Sequence, residues 1–142
     1  MAITQIFVNL PVADVAASTA FYESLGFTKN PQFSDETTSC MVISDSIFAM
    51  IATKEKLQGF SRNPLADEGV RVINALGAES REEVDRIAGA ALAGGGTEPN
   101  DVQDYGWMYN RAFTDLDGHH WEVAYMDEAA MAEAFAEGTP EV

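Results

Sequence analysis

The amino-acid sequence predicts an α+β fold built from two copies of a βαβββ module, on three observations. A strand-like run, Phe7-Val8-Asn9-Leu10, leads through Pro11 and Asp14 into a helix-patterned segment that stops at Leu25-Gly26-Phe27. Past the middle, Val72-Ile73-Asn74-Ala75-Leu76 leads through Gly77 and Ser80 into a second such segment, which stops at Gly94-Gly95-Gly96. Each copy is followed by strand-like runs joined by a tight polar turn, Ser44-Asp45-Ser46 in one and Leu116-Asp117-Gly118 in the other. Aligned on these features, Asn9 falls on Asn74 and Asp14 on Glu79. A repeat of this size is half a domain, so its copies should pack together and enclose a space where a function would sit.

Taken in order, the first strand is expected over residues 3–10 and the first helix over about 15–25. Asp14 suits the N-cap, Val15, Ser18, Tyr22 and Leu25 give an approximate stripe, and Gly26 suits the C′ position. Strands follow over residues 27–33, 38–43 and 47–53. Residues 57–68 carry Gly59, Asn63 and Pro64 and read as a linker. The second copy opens with a strand over 70–76. Its helix carries the stronger signature: Ser80-Arg81-Glu82-Glu83 matches a capping box, and Val84, Ile87, Ala88 and Ala91 form one face. A weak strand near 98–102 and two firm ones over 107–114 and 119–126 complete the module. A short helix over about 128–137 is expected beyond it, with Asp127 as cap and Met131 and Phe135 as anchors. The whole reads as one domain, residues 1–142. Module one covers about 1–56, the linker about 57–68, module two about 69–126 and a C-terminal helix about 127–138.

Composition narrows the function classes. With 142 residues, 46% of them hydrophobic, the chain can bury a real core. Its formal charge is −15, from 23 acidic and 8 basic residues. So few cations cannot supply a phosphate footprint, which argues against nucleic acid and disfavours anionic membrane surfaces. The acidity reads first as solubility, with attraction of a cationic small-molecule ligand as the alternative. The single cysteine, Cys40, permits no internal disulfide. Between Ser39 and Met41, with no basic neighbour in sequence, it reads as a small buried hydrophobe. No signal-peptide pattern or spanning run is present, so a cytoplasmic location is expected. There is no phosphate loop, serine-nucleophile signature or zinc spacing. Gly94-Gly95-Gly96 follows a helix instead of preceding one, so it is a helix stop and not a dinucleotide fingerprint.

Two motifs carry a family resemblance. Asn9-Leu10-Pro11-Val12-Ala13-Asp14, continuing to Phe21-Tyr22-Glu23-Ser24-Leu25-Gly26-Phe27, is similar to the opening strand and helix of the vicinal oxygen chelate superfamily. That superfamily includes glyoxalases, extradiol dioxygenases and bleomycin-resistance proteins. Phe113-Thr114-Asp115-Leu116-Asp117-Gly118-His119-His120-Trp121-Glu122-Val123 resembles its closing hairpin. The likeness covers about residues 3–126. It implies curved sheets around a shared cavity, the glyoxalase-like fold, and a homodimer. In metal-dependent members the ligands come from the first and fourth strands of each half. The corresponding positions here are Phe7, Ala49, Val72 and Glu122, of which only Glu122 could bind a metal. A shift of two residues offers Asn9 and Asn74 but no histidine, and such sites normally need three or four His, Cys or carboxylate ligands. The resemblance therefore implies a protein that has lost the metal site. No cofactor is expected, and a divalent metal is the alternative.

Alternation along the strand puts His120 on the cavity face with Glu122. With an even-numbered hairpin loop, Tyr109, Arg111 and Phe113 join them, and Arg111 becomes an ion-pair partner for Glu122. The expected ligand pocket thus comprises Phe7, Asn9, Ala49, Val72, Asn74, Tyr109, Arg111, His120 and Glu122. His119 and His120, being adjacent, point to opposite faces and cannot chelate one ion together. Three functions follow from these residues and the resemblance. The first is metal-free binding of a small molecule, as in the bleomycin-resistance branch. The second is a glyoxalase-type metal-assisted lyase or isomerase. The third is a metal-free enzyme with Glu122 or His120 as base.

Overall fold

The computed structural model describes residues 2–136 and Gly138. Two four-stranded sheets are each covered on one side by a helix. The first module comprises β1 (Ile6–Val12), α1 (Val15–Ser24), β2 (Thr28–Asn30), β3 (Thr38–Val42) and β4 (Ile47–Thr53), followed by a short α2 (Lys54–Gln58). The second comprises β5 (Ile73–Gly77), α3 (Arg81–Ala93), β6 (Gln103–Asp104), β7 (Met108–Thr114) and β8 (His120–Met126), followed by α4 (Glu128–Ala136). The strand orders are the same in both, β1-β4-β3-β2 and β5-β8-β7-β6. In each sheet the opening strand runs parallel to the last and the remaining neighbours pair antiparallel. The βαβββ repeat is therefore present in both halves.

Local chemistry explains the departures from expectation. The strand expected over 27–33 ends at Asn30, because the Asn30 side chain accepts from the Gln32 amide and Pro31 begins a 3-10 turn. The weak strand near 98–102 is reduced to a bridge at Thr97 and the two-residue β6, since Pro99 cannot donate to a ladder. Thr53 caps α2, so a helix occupies the start of the linker. Asp127 caps α4 as expected, through the Ala130 amide. Its anchor Phe135 stays half exposed and packs edge-on against Trp107. Glu137, the expected end of that helix, lies outside the described residues.

The internal alignment is one residue out from the expected one. The observed N-caps are Asp14, bonded to the Ala17 amide, and Ser80, bonded to the Glu83 amide. Asp14 therefore corresponds to Ser80 and not to Glu79. Phe7 lies beside Phe48, and Ile73 beside His120. The equivalences become Phe7 with Ile73, Phe48 with His120 and Met50 with Glu122. Asn9 corresponds to Ala75, so the two asparagines face opposite sides of their sheets.

The core lies between the sheets and the two long helices. Leu10, Val12, Phe21, Tyr22 and Leu25 from module one meet Val84, Ile87, Ala88, Ala91, Trp121 and Val123 from module two in one cluster. Polar bonds cross the junction within it. Tyr22 donates to the Asp115 carboxylate at 2.5 Å and accepts from Trp121 Nε1 at 3.1 Å. Asp117 accepts from the Ala13 amide and the Ser18 hydroxyl, and His119 Nε2 donates to the Pro11 carbonyl at 2.6 Å. The opening segment and the closing hairpin, the two motifs of the sequence, are thus docked on each other.

Candidate functional site

Each sheet has one face against its helix and one face turned away from it. On the outer face of the first sheet, Phe7 stacks on Phe48 with ring centroids 4.6 Å apart, next to Asn9 and Met50. On the outer face of the second, Asn110 Nδ2 donates to Glu122 at 3.1 Å and to Gln103 at 3.2 Å. Asn110 is 7% exposed and its Oδ1 has no partner among the described residues. His120 shares that face, is also buried, and its Nε2 likewise has no partner among them.

Tyr109, Arg111 and Ala49, all expected in the pocket, do not stand on these outer faces. The β7–β8 connection spans residues 115–119, an odd number, because Asp115 folds it inward. The Asp115 carboxylate accepts from the amides of both Asp117 and His119. Ala112, not Arg111, therefore stands opposite Glu122. Arg111 points to the helix side, where it bonds Asp85 at 3.1 Å and Glu98 at 2.9 Å. The expected Arg111–Glu122 pair does not form. Tyr109 joins Arg111 by donating to Asp85, and that bond chiefly holds the Asp85 carboxyl below its ordinary value. Ala49 is fully buried in the core cluster beside Met41 and Ile51, one residue away from the outward-facing Met50. Cys40 is buried, and that burial raises its thiol pKa, as suits a packing residue.

The other expected residues divide between two places. Phe7 and Glu122 stand on the outer faces just described. Asn9, Val72, Asn74 and His120 line a groove of about 380 Å³ between the unpaired edges of β1 and β5. Its walls are Val8, Leu10 and Pro11 on one side and Val70 and Val72 on the other, with Leu57 and Leu65 over it and His119 and His120 at the end of β1. Arg71 also lines it. Sequence reasoning missed the share of the segment from α2 to β5. Leu57, Leu65 and Arg71 follow no periodicity, and only the return of the chain across β1 brings them in.

The donor set does not fit the metal of the resembling family. With the corrected alignment the four positions are Phe7, Met50, Ile73 and Glu122, a single carboxylate among three apolar side chains, and that carboxylate is already bonded to Asn110. Among the described residues no three His, Cys, Asp or Glu side chains gather as a metal site. No helix of the described residues is long and apolar enough to cross a membrane.

Comparison with known proteins agrees with this architecture. The family described as bleomycin resistance protein-like N-terminal matches residues 4–44. No curated protein matches the chain. Among solved structures, the chain is similar to a hypothetical protein from S. aureus, with 29% identity, a TM-score of 0.73, and coverage of 88% of this chain and 95% of that one. A glyoxalase-related enzyme from Fulvimarina pelagi superposes with a TM-score of 0.74 at 20% identity, over 87% of this chain and 88% of that one. A glyoxalase/bleomycin resistance protein/dioxygenase family enzyme from Burkholderia phytofirmans gives a TM-score of 0.70 at 18% identity, over 85% and 97%. The chain thus has the fold of the glyoxalase/bleomycin resistance protein/dioxygenase structures, and its residues 4–44 carry the bleomycin resistance protein-like match.

Proposed function

On the premise of that fold, we propose that this chain binds a small molecule in the groove between its two modules and does so without a metal ion. The observation that carries the reading is the buried His120, with a partnerless Nε2, in the wall of an otherwise mainly apolar groove. Ligand sites of this kind combine apolar walls with a few placed polar groups, and a buried polar atom without a partner marks where a ligand atom would be welcome. The groove is built by both modules, in keeping with a duplicated frame that uses its junction. The unsuitable donor set supports the metal-free part.

Elemental analysis of protein purified without chelators or an affinity tag, followed by a thermal-shift screen of small molecules, tests this. The expected result is no stoichiometric transition metal, no change in melting temperature on adding EDTA, and hits that His120→Asn abolishes. Stoichiometric nickel, zinc, iron or manganese would overturn it in favour of a metal-assisted lyase or isomerase. The same orphan Nε2 favours a second reading, a metal-free enzyme with His120 as base, which turnover of a screening hit would establish.

A further inference from the structure

The groove differs from the rest of the molecule in charge. The chain has 23 acidic residues and a formal charge of −15, yet among the described residues no Asp or Glu lines this groove. Both of its histidines and Arg71 do. Arg71 has no salt-bridge partner among the described residues, unlike Arg81, Arg86 and Arg111, each of which holds a carboxylate. Another cavity of comparable size, near 390 Å³, lies at the opposite end of the module junction. It contains Glu79 and Glu83, and its one cation, Arg86, is bonded to Glu83. Of the two, only the β1–β5 groove offers an uncommitted guanidinium.

We propose that the β1–β5 groove is a site for an amphipathic monocarboxylate, a small apolar body ending in one carboxylate that Arg71 and His120 receive. The inference rests on the reading of the groove as a small-molecule site and names its ligand class. The walls of Leu10, Leu57, Leu65, Val70 and Val72 take the apolar body. A planar guanidinium matches a carboxylate through two parallel N–H donors, and a His120 Nε2–H donates a further bond to the same group. His119 is not available for this, since its Nε2 is bonded to Pro11. The surrounding acidity does not oppose binding inside the groove. Exposed charges beyond about 8–10 Å are largely screened at physiological salt, whereas a guanidinium in contact acts at short range.

Isothermal titration calorimetry of the full chain with 4-phenylbutyrate, its primary amide and 4-phenylbutylamine tests the assignment. The acid should bind, the amide about tenfold more weakly and the amine more weakly still. Arg71→Gln, an exposed position that leaves the fold intact, should weaken the acid about tenfold and leave the amide unchanged. His120→Asn should weaken both. Equal affinity for acid and amide, preference for the amine, or an Arg71→Gln variant that still favours the acid would overturn the carboxylate assignment while leaving the groove a binding site. Failure of all three compounds to bind at about 10 mM would overturn the groove as a small-molecule site as well.

Discussion

Asp115 shows how a single side chain decides the site. It is 4% exposed, and its carboxylate is satisfied by three donors, the Tyr22 hydroxyl and two amides of its own loop. Burial and the neighbouring carboxylate together push the Tyr22 hydroxyl far above its ordinary value, so it remains a donor at any practical pH. Tyr22→Phe should therefore destabilise the protein by about 1–3 kcal/mol, because it strands a buried carboxylate oxygen and the Trp121 Nε1 donor. Urea unfolding followed by Trp fluorescence reads this, and an unchanged midpoint would refute the bond's role. Glu122 behaves differently, since its partner is Asn110 and Arg111 is committed elsewhere. Glu122→Ala should cost about 1 kcal/mol, and adding Arg111→Ala should give simple additivity with no rescue. A rescue in the double mutant would restore the ion pair that the hairpin register rules out. Asp104 offers a pH test. Two bonds from Arg81, chiefly, hold its carboxyl down to about 2. A depressed carboxyl stabilises the fold fully above its ordinary 3.8 and loses that contribution as pH falls towards 2. The pair is exposed, so the effect on stability is small. The direct readout is the Asp104 titration by NMR, which Arg81→Gln should move back towards 3.8.

At the scale of elements, the ends of helices and the turns after them set the register of everything else. Ser80 satisfies the Glu83 amide at the start of α3. Ser80→Ala should lower stability by about 1 kcal/mol, measured by chemical denaturation, and Ser80→Asp should restore it. After α3 the chain turns through three glycines for a steric reason at the last of them. A Cβ on Gly96 would collide with the Thr114 carbonyl, while the Gly96 amide bonds Ala91 and Thr97 pairs with Thr114. Gly96→Ala should cost about 1–3 kcal/mol, since backbone on both sides cannot yield as a flexible side chain would. A melting temperature equal to wild type would show that the turn relaxes. Helix caps and the glycine stop were legible because their chemistry is local. The ends of β2 and β6 were less so, because Asn30 and Pro99 interrupt strands that the surrounding residues would otherwise extend.

At the scale of the whole molecule, the modules are joined by polar bonds as well as by the core. Tyr22, Asp115, Asp117 and His119 link the opening segment to the closing hairpin. Among the described residues no strand pairs with the free edges of β1 and β5, and Ile6, Phe7 and Ile73, which lie outside the groove, are about half exposed there. Unpaired edges with apolar side chains need cover. A homodimer is the expected state, and sedimentation velocity at micromolar concentration checks it. A monomer would leave these strands uncovered and overturn the expectation.

The sequence by itself determined the duplicated βαβββ order, most element bounds and the caps Asp14, Ser80 and Asp127. These rest on local propensity, periodicity and capping, which a chain carries in its residue order, while the glyoxalase-like fold was implied by the resemblance of its two motifs. It also put His120 and Glu122 on one face, because strand alternation is local. Tertiary structure decided which strand faces met. The odd-numbered loop around Asp115 turned Tyr109 and Arg111 towards Asp85, and the one-residue change in internal alignment exchanged Ala49 for Met50. A strand's side chains alternate every residue, so an error of one in register moves a residue from the cavity to the core. The groove itself depended on the segment from α2 to β5, whose Leu57, Leu65 and Arg71 reach β1 and β5 only once both modules have folded.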